Sequence, residues 1–164
     1  MESFGGDIRT KEKFGDFRMH AEWYQPDYPP DVTGQARGNS GVYIQERYEM
    51  QVLESFGVET PRNDDAGAIY RQKAPDVNAA TAPRTWQSYD IEFRAARFNS
   101  DGKKVENARV SLRWNGKLVH KDVAIDGTTG SGRPEGPAPG HIRLQDHGDP
   151  GENPRFRNIW IERL

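Results

Sequence analysis

Short runs of β-branched and aromatic residues, separated by Gly, Pro, Asn and Asp, recur along this chain at intervals of roughly ten residues. No window shows helical periodicity of comparable strength, so the pattern predicts an all-β fold. This many strands in one domain favours two stacked antiparallel sheets, and we therefore expect a sandwich. The predicted strands are 16–24, 40–46, 48–55, 67–72, 87–98, 108–116, 117–125, 140–147 and 156–164.

The dipeptide Asn115-Gly116 separates two of these runs, "ARVSLRWNG" and "KLVHKDVAI". It predicts a tight hairpin, because both central residues of the turn need a positive φ, which Asn and Gly adopt readily. Alternation along the first run assigns Leu112 and Trp114 to a buried face and Arg113 to the opposite face. One side of the sheet is therefore expected to pack on a core.

Composition narrows the classes of function. The chain has 164 residues, which is enough for one domain with a core of its own, so we expect a single domain over 1–164. It contains no cysteine, and its net charge is −2 with acidic and basic residues interspersed. Neither a basic stripe for nucleic acid nor a cationic helix for a membrane surface is present, so no nucleic-acid or membrane partner is expected. No stretch has the length of a transmembrane helix or the apolar core of a signal peptide.

The run "YEMQVLES" (48–55) holds Glu49, Gln51 and Glu54. A regular strand would place Glu54 on the face opposite the other two, whereas a β-bulge after Gln51 would bring all three side chains to one surface. Paired carboxylates across a cleft are the groups that glycoside chemistry uses. The alternative is that Glu54 faces solvent and Glu49 pairs with an arginine such as Arg47.

A second polar cluster ends the run "LQDHG" (144–148), which supplies Gln145, Asp146 and His147. Strand ends that open into loops are frequent positions for sites, and an imidazole titrates near neutral pH. His147 is a candidate base or metal ligand, or alternatively a turn residue. Asn39 lies between glycines that permit close approach of a ligand to the backbone, or that form a turn before the strand.

Aromatic side chains fill cores more often than they stack on sugars. Trp114 and Trp160 alternate with apolar neighbours and are predicted to be core residues. The better candidates for a cleft wall are Trp86, Tyr43, Tyr48 and Tyr70.

Two segments read as surface loops. "DGTTGSGRPEGPAP" (126–139) is rich in Gly and Pro with little to bury, which predicts a mobile surface loop. The turn "NDD" (63–65) offers carboxylates that could bind calcium through oxygen ligands, or that are simply solvated. A divalent metal such as calcium is therefore the one cofactor considered.

Several runs together resemble a known family, the 3-keto-disaccharide hydrolase domain. They are "GNSGVYIQERYEMQVLESFG", "AGAIYRQKAPDVNA", "WQSYDIEFRAARFNSDGK", "NGKLVH" and "GHIRLQDHG" with the terminal "FRNIWIERL". The resemblance runs from about residue 14 to 164 and implies a concanavalin-like jelly-roll sandwich, exported or periplasmic, that acts on 3-keto glycosides. Such domains begin with an "FDGK"-like stretch before the position of Phe4, so this chain is expected to lack the family's N-terminal segment.

The same sandwich occurs in laminarinase-type glycosidases, whose catalytic strand carries Glu-x-Asp-x-x-Glu on a bulge. In this chain Gln51 replaces the middle acid. The sequence therefore gives less support to a conventional retaining mechanism with Glu49 as nucleophile and Glu54 as acid.

The substrate that the resemblance implies suggests another route. A ketone at C3 acidifies the C2 proton, so a base can promote elimination of the oxygen at C1, and water can then add. We expect Glu49 or His147 to be the base and Glu54 the acid, with Arg157 or a metal near Asp146 stabilising the enolate. The residues expected to hold sugar hydroxyls are Gln51, Gln145 and Asn39.

Three other functions fit the same sequence. A non-catalytic carbohydrate-binding module would tolerate amide replacement of Glu49 and Glu54. A scaffold domain of a larger exported protein would bind no sugar, and a conventional glucanase-like glycosidase would cleave unoxidised glycans.

Overall fold

A computed structural model describes residues 6–149 and 152–164. The strands are β1 (Ile8–Arg9), β2 (Phe17–Tyr24), β3 (Ser40–Ile44), β4 (Tyr48–Val52), β5 (Trp86–Arg94), β6 (Arg97–Phe98), β7 (Lys104–Glu106), β8 (Arg109–Trp114), β9 (Lys117–Ala124), β10 (Arg143–Leu144) and β11 (Arg155–Arg163). A short 3₁₀ turn at Gly34–Ala36 precedes β3. The position of Phe4, where the family's N-terminal segment would join, lies outside the described residues.

Two antiparallel sheets pack as a jelly-roll sandwich, which confirms the predicted fold class. One sheet has the order β1-β10-β3-β4 and the other the order β11-β2-β5-β8-β9, while β6 and β7 form a separate ribbon. Within residues 6–149 and 152–164, no helix is long and apolar enough to cross a membrane.

The core lies between the sheets and follows from period-two alternation. In β2 every second residue from Phe17 to Trp23 is buried, and β5 and β8 show the same alternation. Trp23, Tyr89 and Trp114 form an aromatic cluster with ring centroids 5.6 to 6.4 Å apart. Each such ring removes a large apolar area from water, which is the main favourable term for the fold.

Strands β3 and β4 differ from this rule, because every residue of both is buried. One face packs on the core through residues such as Val42 and Met50, and loops cover the other face. The polar side chains of these two strands are thus enclosed on the outer side of the smaller sheet. That covered face is where the candidate site forms.

The predicted hairpin is confirmed. Strands β8 and β9 meet at Asn115 and Gly116, whose φ values are +50° and +78°. The Asn115 side chain also links the turn to neighbouring segments by hydrogen bonds. Its Oδ1 accepts a hydrogen bond from Ser88 N at 2.8 Å, and its Nδ2 donates to Ala79 O at 2.8 Å.

Three strand predictions are wrong in extent or kind. The predicted strand 87–98 is interrupted at Ala95 and Ala96 and divides into β5 and β6, which belong to different sheets. The segment 67–72 forms only isolated bridges at Ile69, although it runs beside β4 and donates to it from Gly67 N and Tyr70 N. The predicted strand 140–147 is reduced to Arg143–Leu144. Strands β1 and β7 were not predicted, because two or three residues cannot show a period.

The prediction that Trp160 is a core residue is also wrong. The pairing of β11 with β2 shifts register between Arg157 and Trp160, and Asn158 in the shift has a φ of +50°. Such an irregularity reverses the face on which later side chains emerge. Trp160 is 50% exposed and stacks on His20, with ring centroids 5.8 Å apart.

The turn geometry yields a stability prediction. We expect Asn115→Ala to lower the free energy of unfolding by about 2–3 kcal/mol. The substitution leaves Ser88 N without its acceptor, and alanine tolerates a positive φ less well than asparagine because its side chain makes no hydrogen bonds. Urea unfolding monitored by tryptophan fluorescence measures this change. The exposed neighbouring variant Lys117→Ala serves as control and should change stability by less than about 0.5 kcal/mol. Equal stabilities for the two variants would contradict the role given to Asn115.

Candidate functional site

Three polar side chains form a row across the outer face of the smaller sheet. Arg143 of β10 pairs with Tyr43 of β3, and Tyr43 pairs in turn with Glu49 of β4. Residues directly opposite one another on neighbouring strands emerge on the same face. The fold therefore places a cation, a phenol and a carboxylate side by side.

Glu49 is held from several directions. Tyr43 Oη donates to Glu49 Oε2 at 2.8 Å, and the Gln51 amide lies 3.0 Å from Oε1, to which it donates when its nitrogen faces Glu49. The Glu49 backbone N–H donates to Thr129 Oγ1 at 2.6 Å, and its carbonyl accepts from Tyr70 N at 3.1 Å. Only 3% of Glu49 is exposed.

Two glycines leave the space that this carboxylate occupies. A β-carbon at Gly41 would lie 2.6 Å from Glu49 Oε1, and one at Gly130 would lie 2.6 Å from Oε2. Gly130 also has a φ of +46°, a conformation that side chains disfavour. Any larger residue at either position would displace Glu49.

Gly130 belongs to the 126–139 segment, which was predicted to be a mobile loop. The structure instead ties this segment to the sheet: Thr129 N donates to Arg47 O at 3.0 Å and Arg133 N to Glu46 O at 2.7 Å. Tyr48 Oη donates to Glu135 Oε1 at 2.7 Å. Polar contacts, which a Gly- and Pro-rich composition does not reveal, thus make the segment a fixed wall of the site.

A small pocket of about 80 Å³ opens beside Glu49. Strands β3 and β4, the strand-end residues after β10 and two loops enclose it. Its lining residues are Asn39, Tyr43, Glu49, Tyr70, Gly130, Ser131, Gln145 and His147. Six of these residues were predicted from the sequence as site residues. Gln51 does not line the pocket, but it contacts the Glu49 carboxylate.

Burial dominates the electrostatics of Glu49 and raises its pKa to about 7. The hydrogen bond from Tyr43 and the positive charges of Arg143, His147 and Arg71 oppose this rise. Burial, followed by the nearby Glu49 charge, raises the pKa of Tyr43 above its usual range, so Tyr43 remains a protonated donor. A carboxyl group that titrates near neutral pH can exchange protons with a substrate.

His147 and Gln145 supply the other functional groups of the pocket. His147 is partly exposed, and its Nδ1 lies 3.0 Å from Asp149 Oδ2, which orients the ring. Gln145 Oε1 is buried without a hydrogen-bond partner in the described part of the chain. Such an acceptor is available to a ligand hydroxyl group.

Glu54 does not line this pocket. Strand β4 pairs with β3 in regular register and ends at Val52, so the predicted bulge is absent from this pairing. Glu54 is not solvated either, because it is only 8% exposed. Arg37 Nε donates to its Oε2 at 2.7 Å and Phe56 N donates to its Oε1 at 2.8 Å. Both oxygens therefore have structural partners, and the alternative pairing of Glu49 with Arg47 is not observed.

Two other candidates lie on the opposite sheet. Trp86 is in β5 and Arg157 in β11, and the Arg157 guanidinium carbon is 3.8 Å from the Trp86 ring centroid. Arg157 Nε also donates to Glu22 Oε2 at 2.6 Å. The structure does not bring these residues to Glu49, because the two sheets expose their outer faces in opposite directions.

Asp146 and the 63–65 turn have local structural roles. Asp146 Oδ2 accepts from Gly6 N at 3.0 Å and Oδ1 from Gly148 N at 3.1 Å. Arg62 contacts both neighbouring acids, Asp64 and Asp65. Across residues 6–149 and 152–164, no group of three or more acidic or histidine side chains has the geometry to hold a metal ion. The donor set does not fit a calcium site at either position.

Sequence reasoning missed the contributions of Arg143, Thr129 and Ser131. Alternation could have revealed Arg143, because the buried Ile142 and Leu144 flank it and place it on the outer face with Gln145. Thr129 and Ser131 lie in irregular structure, where no period indicates a direction.

The fold and the pocket define a sandwich of the kind that acts on carbohydrates, with one buried carboxyl group beside an imidazole. The chain belongs to the family of 3-keto-α-glucoside-1,2-lyase-like domains, whose model matches residues 1–162. This confirms the resemblance seen in the sequence. Family membership assigns the domain to the hydrolase- and lyase-like proteins of carbohydrate chemistry.

Solved structures agree with that assignment. The chain is 42% identical to a candidate glycosyl hydrolase from Parabacteroides distasonis ATCC 8503, with a TM-score of 0.88 over 100% of this chain and 70% of that chain. A second candidate glycosyl hydrolase from the same organism shares the fold at 19% identity, with a TM-score of 0.64 over 96% of this chain and 76% of the other. No protein of curated function matches the chain.

The burial of Glu49 yields a prediction on stability and pH. Its pKa is about 7 in the fold and about 4.5 ordinarily, so between these values the folded state binds a proton that the unfolded chain has lost. Unfolding free energy should therefore fall as pH rises through this window, by up to about 3 kcal/mol from this group. Glu49→Gln carries no such titration, so its stability relative to the unmodified protein should increase from pH 4.5 to pH 8.

Urea unfolding of both proteins at half-unit pH steps measures the difference. Asp101→Asn, at an exposed turn, is the control and should follow the unmodified protein at every pH. A constant difference between Glu49→Gln and the unmodified protein would show that Glu49 ionises normally in the fold.

Proposed function

We propose that this domain cleaves 3-keto glycosides by elimination across C1 and C2, with Glu49 as the base that removes the C2 proton. One observation carries the proposal: the pocket contains a single carboxyl group, buried and with its pKa raised to about 7, next to His147. Most glycosidases that work through oxocarbenium-like transition states use two carboxyl groups about 5 to 10 Å apart. Among the residues that line this pocket, Glu49 is the sole carboxylic acid.

Elimination makes different demands. The ketone at C3 acidifies the C2–H bond, so Glu49 can take the proton while the electron pair forms an enolate over C2, C3 and the ketone oxygen. The enolate then expels the oxygen at C1 and leaves a C1–C2 double bond. One base, one proton donor and hydrogen-bond donors for the enolate suffice.

The other lining residues can meet these demands. His147 is the partly exposed acid that protonates the departing oxygen, and Asp149 fixes the orientation of its ring. The amides of Asn39 and Gln145 face sugar hydroxyls or the enolate oxygen. Tyr70 forms an aromatic side against which a sugar ring packs. Addition of water to C1 of the unsaturated product would complete the hydrolysis.

The direct test uses a 3-keto disaccharide and its unoxidised parent in deuterated water. We expect cleavage of the keto sugar alone, with deuterium at C2 of recovered substrate, because the proton is removed before or during loss of the C1 oxygen. Proton NMR at C2 and product chromatography measure both events. Cleavage of the parent sugar would support a conventional glycosidase, and ligand-induced thermal stabilisation without any cleavage would support a binding module.

Matched carboxamide variants separate the two glutamates. Glu49→Gln should lower kcat roughly 10³-fold with little change in substrate affinity, because it removes the base and keeps the shape of the side chain. Glu54→Gln should keep kcat within a few-fold and instead lower stability, because it breaks the ion pair with Arg37. In the unmodified protein kcat/KM should rise with pH through about 7, as Glu49 loses its proton. Equal losses of kcat in both variants would contradict the assignment of the base.

A further inference from the structure

Arg143 is a partly buried cation with incomplete hydrogen bonding. Its Nη1 lies 3.0 Å from Asp7 Oδ2, and only 18% of its side chain is exposed. Its Nε and Nη2 are buried and have no hydrogen-bond partner in the portion of the chain that the structure describes. Burying guanidinium N–H groups without hydrogen-bond partners costs free energy. The Asp7 ion pair alone therefore does not account for the position of Arg143.

The guanidinium group lies over the Tyr43 ring. Its carbon is 3.9 Å from the centroid of the Tyr43 ring, which is close stacking for a cation on an aromatic face. The Tyr43 hydroxyl donates in turn to Glu49 Oε2 at 2.8 Å. The cation, the ring and the carboxylate therefore form one continuous chain of contacts across β10, β3 and β4.

We propose that Arg143 is a positioning residue of the site, whose partly buried charge orients Tyr43 and, through the Tyr43 ring and hydroxyl, stabilises the Glu49 carboxylate. A cation on the ring face draws electron density from the phenol and strengthens its O–H as a donor. The same charge attracts the carboxylate directly through a poorly hydrated region. This inference rests on the proposed role of Glu49 as base.

Other charged groups that face Glu49 act with Arg143. His147 and Arg71 add positive charge, and Asp7 lies beyond Arg143, where it offsets part of the guanidinium charge. Tyr43, Gln51 and Thr129 are neutral hydrogen-bond partners. The carboxylate thus depends on the balance between Arg143, its exposed anionic partner Asp7, and the charges of His147 and Arg71.

Charge-changing variants of Arg143 and of its ion-pair partner Asp7 test the inference in the protein without substrate. The titration of Glu49 is followed by carbon NMR of ¹³C-labelled glutamate side chains, with Glu49→Gln identifying its signal. Arg143→Met removes the charge and keeps a flexible apolar chain over Tyr43, so the midpoint should rise by about one pH unit. Arg143→Lys keeps a positive charge, so the Glu49 midpoint should rise less than in Arg143→Met. Asp7→Asn, at an exposed position, should lower the midpoint, because it leaves the Arg143 charge uncompensated.

Arg155→Met is the matched control, since Arg155 also stacks on a tyrosine, Tyr24, but lies in the other sheet. It should leave the midpoint of Glu49 unchanged. An unchanged midpoint in Asp7→Asn, or in a folded Arg143→Met, would overturn the inference. Asp7→Asn keeps the test decisive even if Arg143→Met does not fold.

The pH profile of kcat/KM separates this inference from the proposed function. If the NMR midpoint and the kinetic midpoint move together in the variants, both are supported. If the NMR midpoint moves while the kinetic profile stays fixed, Arg143 tunes Glu49 as proposed, but Glu49 is not the base.

Discussion

The burial of the Glu49 carboxylate is the constraint on which the rest of the site depends. A carboxylate with 3% exposure loses most of its hydration, and the protein must replace it with hydrogen bonds or accept a proton on the group. Both occur at this site: Tyr43 donates to one oxygen and the Gln51 amide lies 3.0 Å from the other, and the pKa of Glu49 still rises to about 7. The result is a group whose charge changes near neutral pH, which a solvated glutamate on the same strand could not provide.

The two-sided burial of β4 explains how a sandwich encloses such a group. Its alternate residues, such as Met50, pack between the sheets and fix the strand, while Glu49 and Gln51 emerge on the outer face. The 126–139 segment then closes over that face through Thr129 and Gly130. A core that stabilises the fold and a loop that excludes water thus act on opposite sides of one five-residue strand.

Much of the fold could be predicted from the sequence, because period-two alternation on one buried face is a local signal. The hairpin at Asn115 followed in the same way from the need for positive φ. The errors lie where that signal is weak or interrupted. The register shift near Asn158 turns Trp160 outward, and the residues around Ile69 bond to β4 without forming a strand.

The candidate site was predictable only in part. Alternation placed Glu49 and Gln51 together, and Gln145 and His147 were found because a strand ended beside polar residues. Glu54 was grouped with them through a β-bulge that the pairing of β4 with β3 does not contain, and its contact with Arg37, seventeen positions earlier, leaves no local trace. Partners brought in by non-local contacts cannot be read from a pattern of neighbours.

Under the proposed elimination, an amide at position 51 suits the site better than an acid would. In a glycosidase with two carboxylates, an additional acid between them helps to set which one holds the proton. Here the Gln51 amide lies 3.0 Å from Glu49 Oε1, donates to it when its nitrogen faces that oxygen, and adds no charge. A carboxylate in its place would repel Glu49, so the two groups would hold one shared proton up to a higher pH and Glu49 would less often be unprotonated near neutral pH. If Glu49 is the base, as proposed, it must lose its proton near pH 7, and uncharged neighbours such as Tyr43 and Gln51 hinder that loss less than an acid would.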